Sequence, residues 1–279
     1  MAPQQESTSF ESISNLTQTI YIIRHGDRWD YAHRDWKETA QRVGDPSLST
    51  LGHEQAREVG KHLDDDFLNE DVHADQITVL SSPFLRTVQT TNEMLTQIKK
   101  TEGNVADTVK IKPEYSVFEF DSRNHGFHRS LPDMDERKCY FPRLDESYET
   151  AFEPSLPEDR KQFFSRCDKA MKHISDTYPL EDEKNRVVII VTHAACCIGL
   201  VKSATGLTPQ DINPASPCSI YRLTRSCYNK KWTLDNHAKE GGMNGFTGHM
   251  KDIGTNTRPW NNFGDREIRN GYTGPMKKL

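Results

Sequence analysis

The sequence predicts a layered α/β domain, and two observations carry that prediction. Three apolar, β-branched runs have the length of strands, and the segments between them repeat apolar residues every three or four positions. Residues 19–24, TIYIIR, read as a buried strand that ends in Arg24, with His25 and Gly26 directly after it. The polar stretch 27–47 follows, running into GDPSLST, a turn-rich cluster that also offers helix N-caps. From Leu51 a helix is expected, because Ala56, Val59, Leu63 and Phe67 recur at helical spacing opposite a charged face.

ITVLSS, 77–82, reads as the second strand. It leads into SPFLRTVQTTNEMLTQIKK, where Ser82 can cap a helix, Pro83 fits its first turn, and Phe84, Val88, Leu95 and Ile98 mark a buried face. Residues 111–120, IKPEYSVFEF, read as a short strand or extended segment. The stretch 121–156 holds too many breakers for a regular element. Pro157 is expected to open the next helix, with Phe163, Cys167, Ala170, Ile174 and Tyr178 inward. RVVIIVTH, 186–193, is the clearest strand, apolar throughout as a central strand covered on both faces should be. The helix from Ala194 should stop near Gly206, a suitable C-cap, and SIYRLTR and KKWTLD can pair as a closing hairpin.

The 279 residues are enough for a well-buried core. The expected organisation is a mobile leader over 1–18, one domain over 19–235 with an insertion at about 121–156, and an extended or disordered tail over 236–279. A net charge of −5 gives no support for nucleic-acid binding or for a basic membrane-binding face. No segment approaches a membrane span, and MAPQQESTSFESISNLTQ has no apolar stretch that could act as a signal sequence. Six cysteines show no metal-ligand spacing, and the adjacent Cys196 and Cys197 suit buried thiols. A cytoplasmic location is expected, with the nucleus as a further one.

Three predicted strands deliver basic side chains: Arg24 and His25 after the first, Arg86 a turn beyond the second, and His193 at the end of the central one. In open α/β sheets, ligands gather at such carboxyl ends. Like charges 4 Å apart repel by about 4 kcal/mol at an effective dielectric of 20, so these cations are costly to collect without an anion. Phosphate fits, because guanidinium forks match its oxygens and helix N-termini add N–H donors.

RHG at 24–26, LSTLGHEQA at 48–56, SSPFLRTVQT at 81–90 and VTHAACC at 191–197 resemble the histidine phosphatase superfamily, also called phosphoglycerate-mutase-like, in order and spacing. The resemblance covers roughly residues 18–235. It implies a three-layer α/β/α sandwich with a mostly parallel central sheet, His25 as nucleophile, and phosphate binding by Arg24, Arg86 and His193. The pattern is most similar to the phosphatase domain of the suppressor-of-T-cell-receptor-signalling proteins, which have a similar Phe-Glu and an Arg two residues after RHG. That similarity adds Arg28 to the phosphate pocket.

The chemistry agrees with these roles. An imidazole attacks phosphorus only when neutral, and neighbouring cations depress its pKa toward that state. A leaving alkoxide or phenolate needs a proton, for which Glu119 is the first candidate, since apolar neighbours would keep its carboxyl protonated. Asp27 and Asp121 are weaker candidates for that role or for orienting the arginines. No metal or cofactor is expected. The expected partner is a phosphorylated substrate, either a phosphotyrosine protein or a small phosphate ester, and a homodimer is left open.

A phosphomonoester hydrolase leads over a sugar-phosphate mutase, because DRWDYAH departs from the Glu-Ser continuation of such mutases. Against a non-catalytic protein-interaction module, such as a subunit of a yeast RNA polymerase III transcription factor in the same branch, stands the complete set of Arg24, His25, Arg86, Glu119 and His193. Arg123, His125, His128 and Arg129 form either a substrate rim or a solvated loop. Trp29, Tyr31 and Trp36 either wall the entrance or pack inward. His53 is expected at the surface, and Cys196 and Cys197 are read as packing rather than as thiol nucleophiles.

Overall fold

The computed structural model describes residues 17–33, 35–122, 126–131, 133–180, 186–226, 228–229, 231–235, 244–246 and 260. Its strands are β1 (Thr17–Arg24), β2 (Ile77–Ser81), β3 (Ile111–Pro113), β4 (Val187–Thr192), β5 (Ile220–Ser226), β6 (Thr233–Leu234) and β7 (Asn244–Phe246). They form one sheet in the order β3-β2-β4-β1-β5-β6, with β7 pairing β5. The pairs β3/β2, β2/β4 and β4/β1 are parallel; β5 runs antiparallel to β1 and forms the expected hairpin with β6.

The longer helices are α1 (Thr50–Asn69), α2 (Leu85–Leu95), α3 (Met134–Tyr140), α4 (Arg160–Thr177) and α5 (Ala194–Thr205). Successive strand side chains point to opposite faces, and both faces of the central strands are covered. Ile20, Ile22, Val188 and Ile190 pack with Phe163, Cys167 and Ile174 of α4 and Ile198 of α5. Tyr21, Ile23, Ile189 and Val191 pack with Ala56, Val59, Leu63 and Phe67 of α1 and Val88 of α2. The result is the expected three-layer α/β/α sandwich. Among the described residues, no helix is long and apolar enough to cross a membrane.

Several local expectations need correction. The stretch 121–156 does contain a regular element, α3, because Asp133 caps it by accepting the Asp135 amide at 3.2 Å and its Arg137 is buried. Ser82 does not cap α2. That helix begins two residues beyond Pro83, and Asp45 Oδ1 accepts its Leu85 amide at 2.7 Å. Helix α4 starts at Arg160 rather than Pro157, where Asp159 and Gln162 form a reciprocal capping box. Residues 1–16 and most of 236–279 lie outside the described residues. Within the latter, β7 adds to the sheet and Trp260 exchanges backbone hydrogen bonds with Ala215.

Candidate active site

Parallel register carries the predicted residues to one edge of the sheet. Arg24 pairs with Thr192, and Ser81 pairs with Val191, so β1, β4 and β2 end level with one another. The next residues extend the ladders: the His25 amide donates to the Thr192 carbonyl and the Ser82 amide to the Val191 carbonyl, both at 2.9 Å. With strands about 4.8 Å apart, His25, His193 and Ser82 emerge side by side. The two imidazoles stand edge to face, their centroids 5.3 Å apart.

His25 is buried, with Nδ1 2.7 Å from the Gly26 carbonyl oxygen. A carbonyl only accepts, so Nδ1 carries the hydrogen and Nε2 keeps its lone pair. Burial foremost, then Arg86, Arg24 and Arg28, hold the pKa of this ring well below the ordinary 6.5. His193, the N-cap of α5, is held down likewise by burial, Arg86 and His25. Its Nε2 lies 2.9 Å from Ser82 Oγ, while Nδ1 faces Arg86 Nη2 at 3.3 Å and Glu119 Oε2 at 3.4 Å. Arginine only donates, so toward Arg86 the Nδ1 atom accepts and Nε2–H donates to Ser82.

Arg86 leaves the first turn of α2 fully buried, its guanidinium carbon 4.3 Å from the centre of the Phe84 ring. Burial, then Arg28, lower its pKa to about 10, so it stays charged at neutral pH. Arg24 ends β1 and donates from Nη1 to the Ala215 carbonyl at 2.8 Å. Arg28 forks onto Asp30, with contacts of 2.9 and 2.6 Å, and lies over the Tyr31 ring. It is near enough to act electrostatically on both histidines and on Arg86.

Glu119 Oε1 accepts the Phe120 amide at 2.9 Å, and Oε2 is aimed at His193 and, at 3.8 Å, at Arg86. The carboxyl group therefore meets one cation, Arg86, and a neutral imidazole, not the apolar walls its sequence neighbours led us to expect. Phe118 and Phe120 are themselves buried on either side of it, because side chains alternate direction along an extended segment. The weaker acid candidates have other partners. Asp27 accepts from Ser49 Oγ at 2.8 Å, and Asp121 Oδ2 takes the His128 amide at 2.9 Å and its Nδ1 at 2.5 Å.

The structure thus brings together Arg24, His25, Arg86, Glu119 and His193, with Arg28 beside them. One ligand atom each from His25, Glu119 and His193 lie within 4.8 Å of one another, a donor set of metal-binding size with no signature in the sequence. Arg86 Nη2 stands against two of those donors, and its charge would repel a cation there. Among the remaining candidates, Trp29 stacks on His33 at 3.7 Å and Trp36 Nε1 donates to the Val43 carbonyl at 3.1 Å. His53 Nδ1 lies 2.9 Å from Glu93, half-buried rather than fully at the surface. Cys196 and Cys197 sit in the core, where burial pushes the Cys197 thiol up. Arg123 and His125 lie outside the described residues. Sequence reasoning missed Ser82 and Asp45 as neighbours of the site; it had read Ser82 as a helix cap and Asp45 as part of a turn.

A model of the histidine phosphatase superfamily (branch 1) matches residues 20–239. Among solved structures, the chain resembles an ecdysone phosphate phosphatase from Bombix mori in complex with tungstate. The TM-score is 0.56 at 20% identity, covering 78% of this chain and 92% of that one. It also resembles a phosphoglycerate mutase from Bacillus anthracis, with a TM-score of 0.51 at 16% identity, covering 81% of this chain and 94% of that one. At these identities the likeness establishes the fold. No curated protein matches the sequence.

Proposed function

The chain belongs to the histidine phosphatase superfamily, and from that premise we propose that it is a phosphomonoester hydrolase working through a phosphohistidine on His25. One observation carries the reading. A buried imidazole, with its Nδ1 hydrogen tied to Gly26, presents an uncharged Nε2 beside His193 and Arg86.

In the first step Nε2 forms a bond to phosphorus as the bond to the leaving oxygen breaks. Glu119, which carries a proton once the bound phosphate dianion takes up the charge of Arg86, gives it to that oxygen from the Oε2 side that faces the site. In the second step Glu119 takes a proton from water, the water oxygen bonds to phosphorus, and the P–N bond breaks to release inorganic phosphate. Dividing one displacement into two lowers each barrier. Arg24, Arg28, Arg86 and His193 hold the non-bridging oxygens throughout, the positioning and charge stabilisation that dominate phosphoryl transfer. For Arg28 this requires release from Asp30 or use of its remaining N–H groups, and for His193 it requires the Nε2–H to turn from Ser82 Oγ to a phosphate oxygen. The substrate class is a phosphate monoester, on a tyrosine of a protein or on a small molecule.

The test compares turnover of an aryl phosphate by the wild type and by His25→Ala. We expect kcat/KM to fall by more than about a thousandfold, as for other nucleophile deletions. The wild type should also trap an acid-labile, base-stable phosphoryl label that His25→Ala lacks. Equal turnover by the two proteins would exclude the mechanism, and a label stable to acid would place the phosphoryl group on another residue type.

A further inference from the structure

Asp45 and Arg137 belong to none of the motifs, yet both are buried and both lead to Arg86. Asp45 Oδ1 accepts the Leu85 amide and faces Arg86 Nη1 at 3.9 Å; Oδ2 accepts from Arg137 Nη2, carried by α3. The neighbouring Gly44 carbonyl takes Arg86 Nη1 at 3.4 Å. The same loop is gripped from the insertion at two more points. The Gly44 amide donates to Ser130 Oγ at 3.0 Å, and Arg42 forks onto Glu136 at 3.0 and 2.6 Å. A guanidinium is a rigid plane of donors, so fixing one nitrogen sets the direction of the other. For Arg86 that other nitrogen is Nη2, aimed at His193 and Glu119.

We infer that Asp45 is a positioning residue that holds Arg86 in line with the phosphate site, and that Arg137 of the 121–156 insertion holds Asp45 in turn. The inference rests on the reading of Arg86 as a phosphate ligand. It gives the insertion a function: it buttresses the loop against which Arg86 leans. Asp45 also offsets one of two buried positive charges while leaving the Nη2 side of Arg86 to an incoming oxyanion.

The experiment measures aryl phosphate hydrolysis and competitive inhibition by inorganic phosphate in Asp45→Asn, Arg86→Ala and their double variant, with Arg137→Met and Arg137→Lys as a second pair. Asn keeps an oxygen for the Leu85 amide, so α2 stays capped. In Asp45→Asn we expect KM and the phosphate inhibition constant to rise at least about fivefold. Arg137→Met should behave alike, and Arg137→Lys should recover to within about twofold of wild type. Added to Arg86→Ala, Asp45→Asn should change nothing further, because it acts through the side chain already removed. Losses that multiply in the double variant, or unaltered phosphate inhibition in folded Asp45→Asn, would overturn the inference and leave the phosphatase reading standing. If Asp45→Asn does not fold, equal phosphate inhibition in the two Arg137 variants overturns it instead. Wild-type kinetics in Arg86→Ala would remove the phosphate-ligand reading, and the inference with it.

Discussion

His25 is crowded by arginines, and an imidazole in that position can attack phosphorus only if it stays uncharged. The arginines and burial act in the same direction, since each raises the free energy of the protonated ring. The cations that would bind phosphate therefore also keep the proposed nucleophile uncharged. We predict that an NMR titration of the His25 ring gives a midpoint below 6.5, moving upward in Arg86→Ala. A midpoint at or above 6.5 in the wild type would contradict the electrostatic argument. At this scale the residue types were readable in advance: Arg24, His25, Arg86, Glu119 and His193 all lie at or shortly beyond the ends of strands or extended segments. Ser82, Asp45 and Arg137 were not. A hydroxyl or carboxylate in a turn has the same local signature whether it faces water or an arginine brought in from elsewhere in the chain.

Helix α1 meets the loop after β1 without a side chain between them. A Cβ on Gly52 would lie 2.1 Å from the Asp27 carbonyl oxygen, and one on Gly26 would lie 2.5 Å from the Gly52 oxygen. Ser49 locks the junction, accepting the Gly52 amide at 3.1 Å and donating to Asp27 Oδ2 at 2.8 Å. Adding one methyl group at Gly52 must push α1 and the His25 loop apart by more than an ångström. We expect Gly52→Ala to lower kcat by about a hundredfold, the usual cost of misplacing a reacting group by that distance, and to lower Tm. Wild-type kcat in a folded Gly52→Ala protein would show that the junction does not set the position of His25. Most elements were legible from periodicity, because long amphipathic helices and apolar strands advertise their buried faces. The short α3 was not, since its stability draws on a cap and on Arg137 reaching Asp45.

The folded molecule keeps two neutral histidines in its interior, and this links its stability to pH. In the unfolded chain each ring titrates near 6.5, and in the folded protein each pKa lies lower. Between those values unfolding takes up protons, so stability is complete above 6.5 and is lost as pH falls toward the folded values. Thermal melts from pH 7.5 to 5.0 should show Tm falling, with a shallower fall in the His25→Gln, His193→Gln double variant. Equal slopes would mean that the two rings are not buried neutral.

Taken alone, the order of residues determined the layered α/β architecture, the strands that carry the site, and the cationic and imidazole groups at their ends. Periodicity and local propensity act over a few positions, and those features are written at that range. Only the tertiary structure decided which groups face which: that His193 stands between His25 and Ser82, that Glu119 meets Arg86, and that Asp45 and Arg137 stand behind that arginine. Strand order and parallel register bring His25, His193 and Ser82 together, and the packing of loops and α3 over those strand ends brings in Glu119, Asp45 and Arg137, so these pairings depend on how whole elements pack rather than on any neighbouring pair of residues.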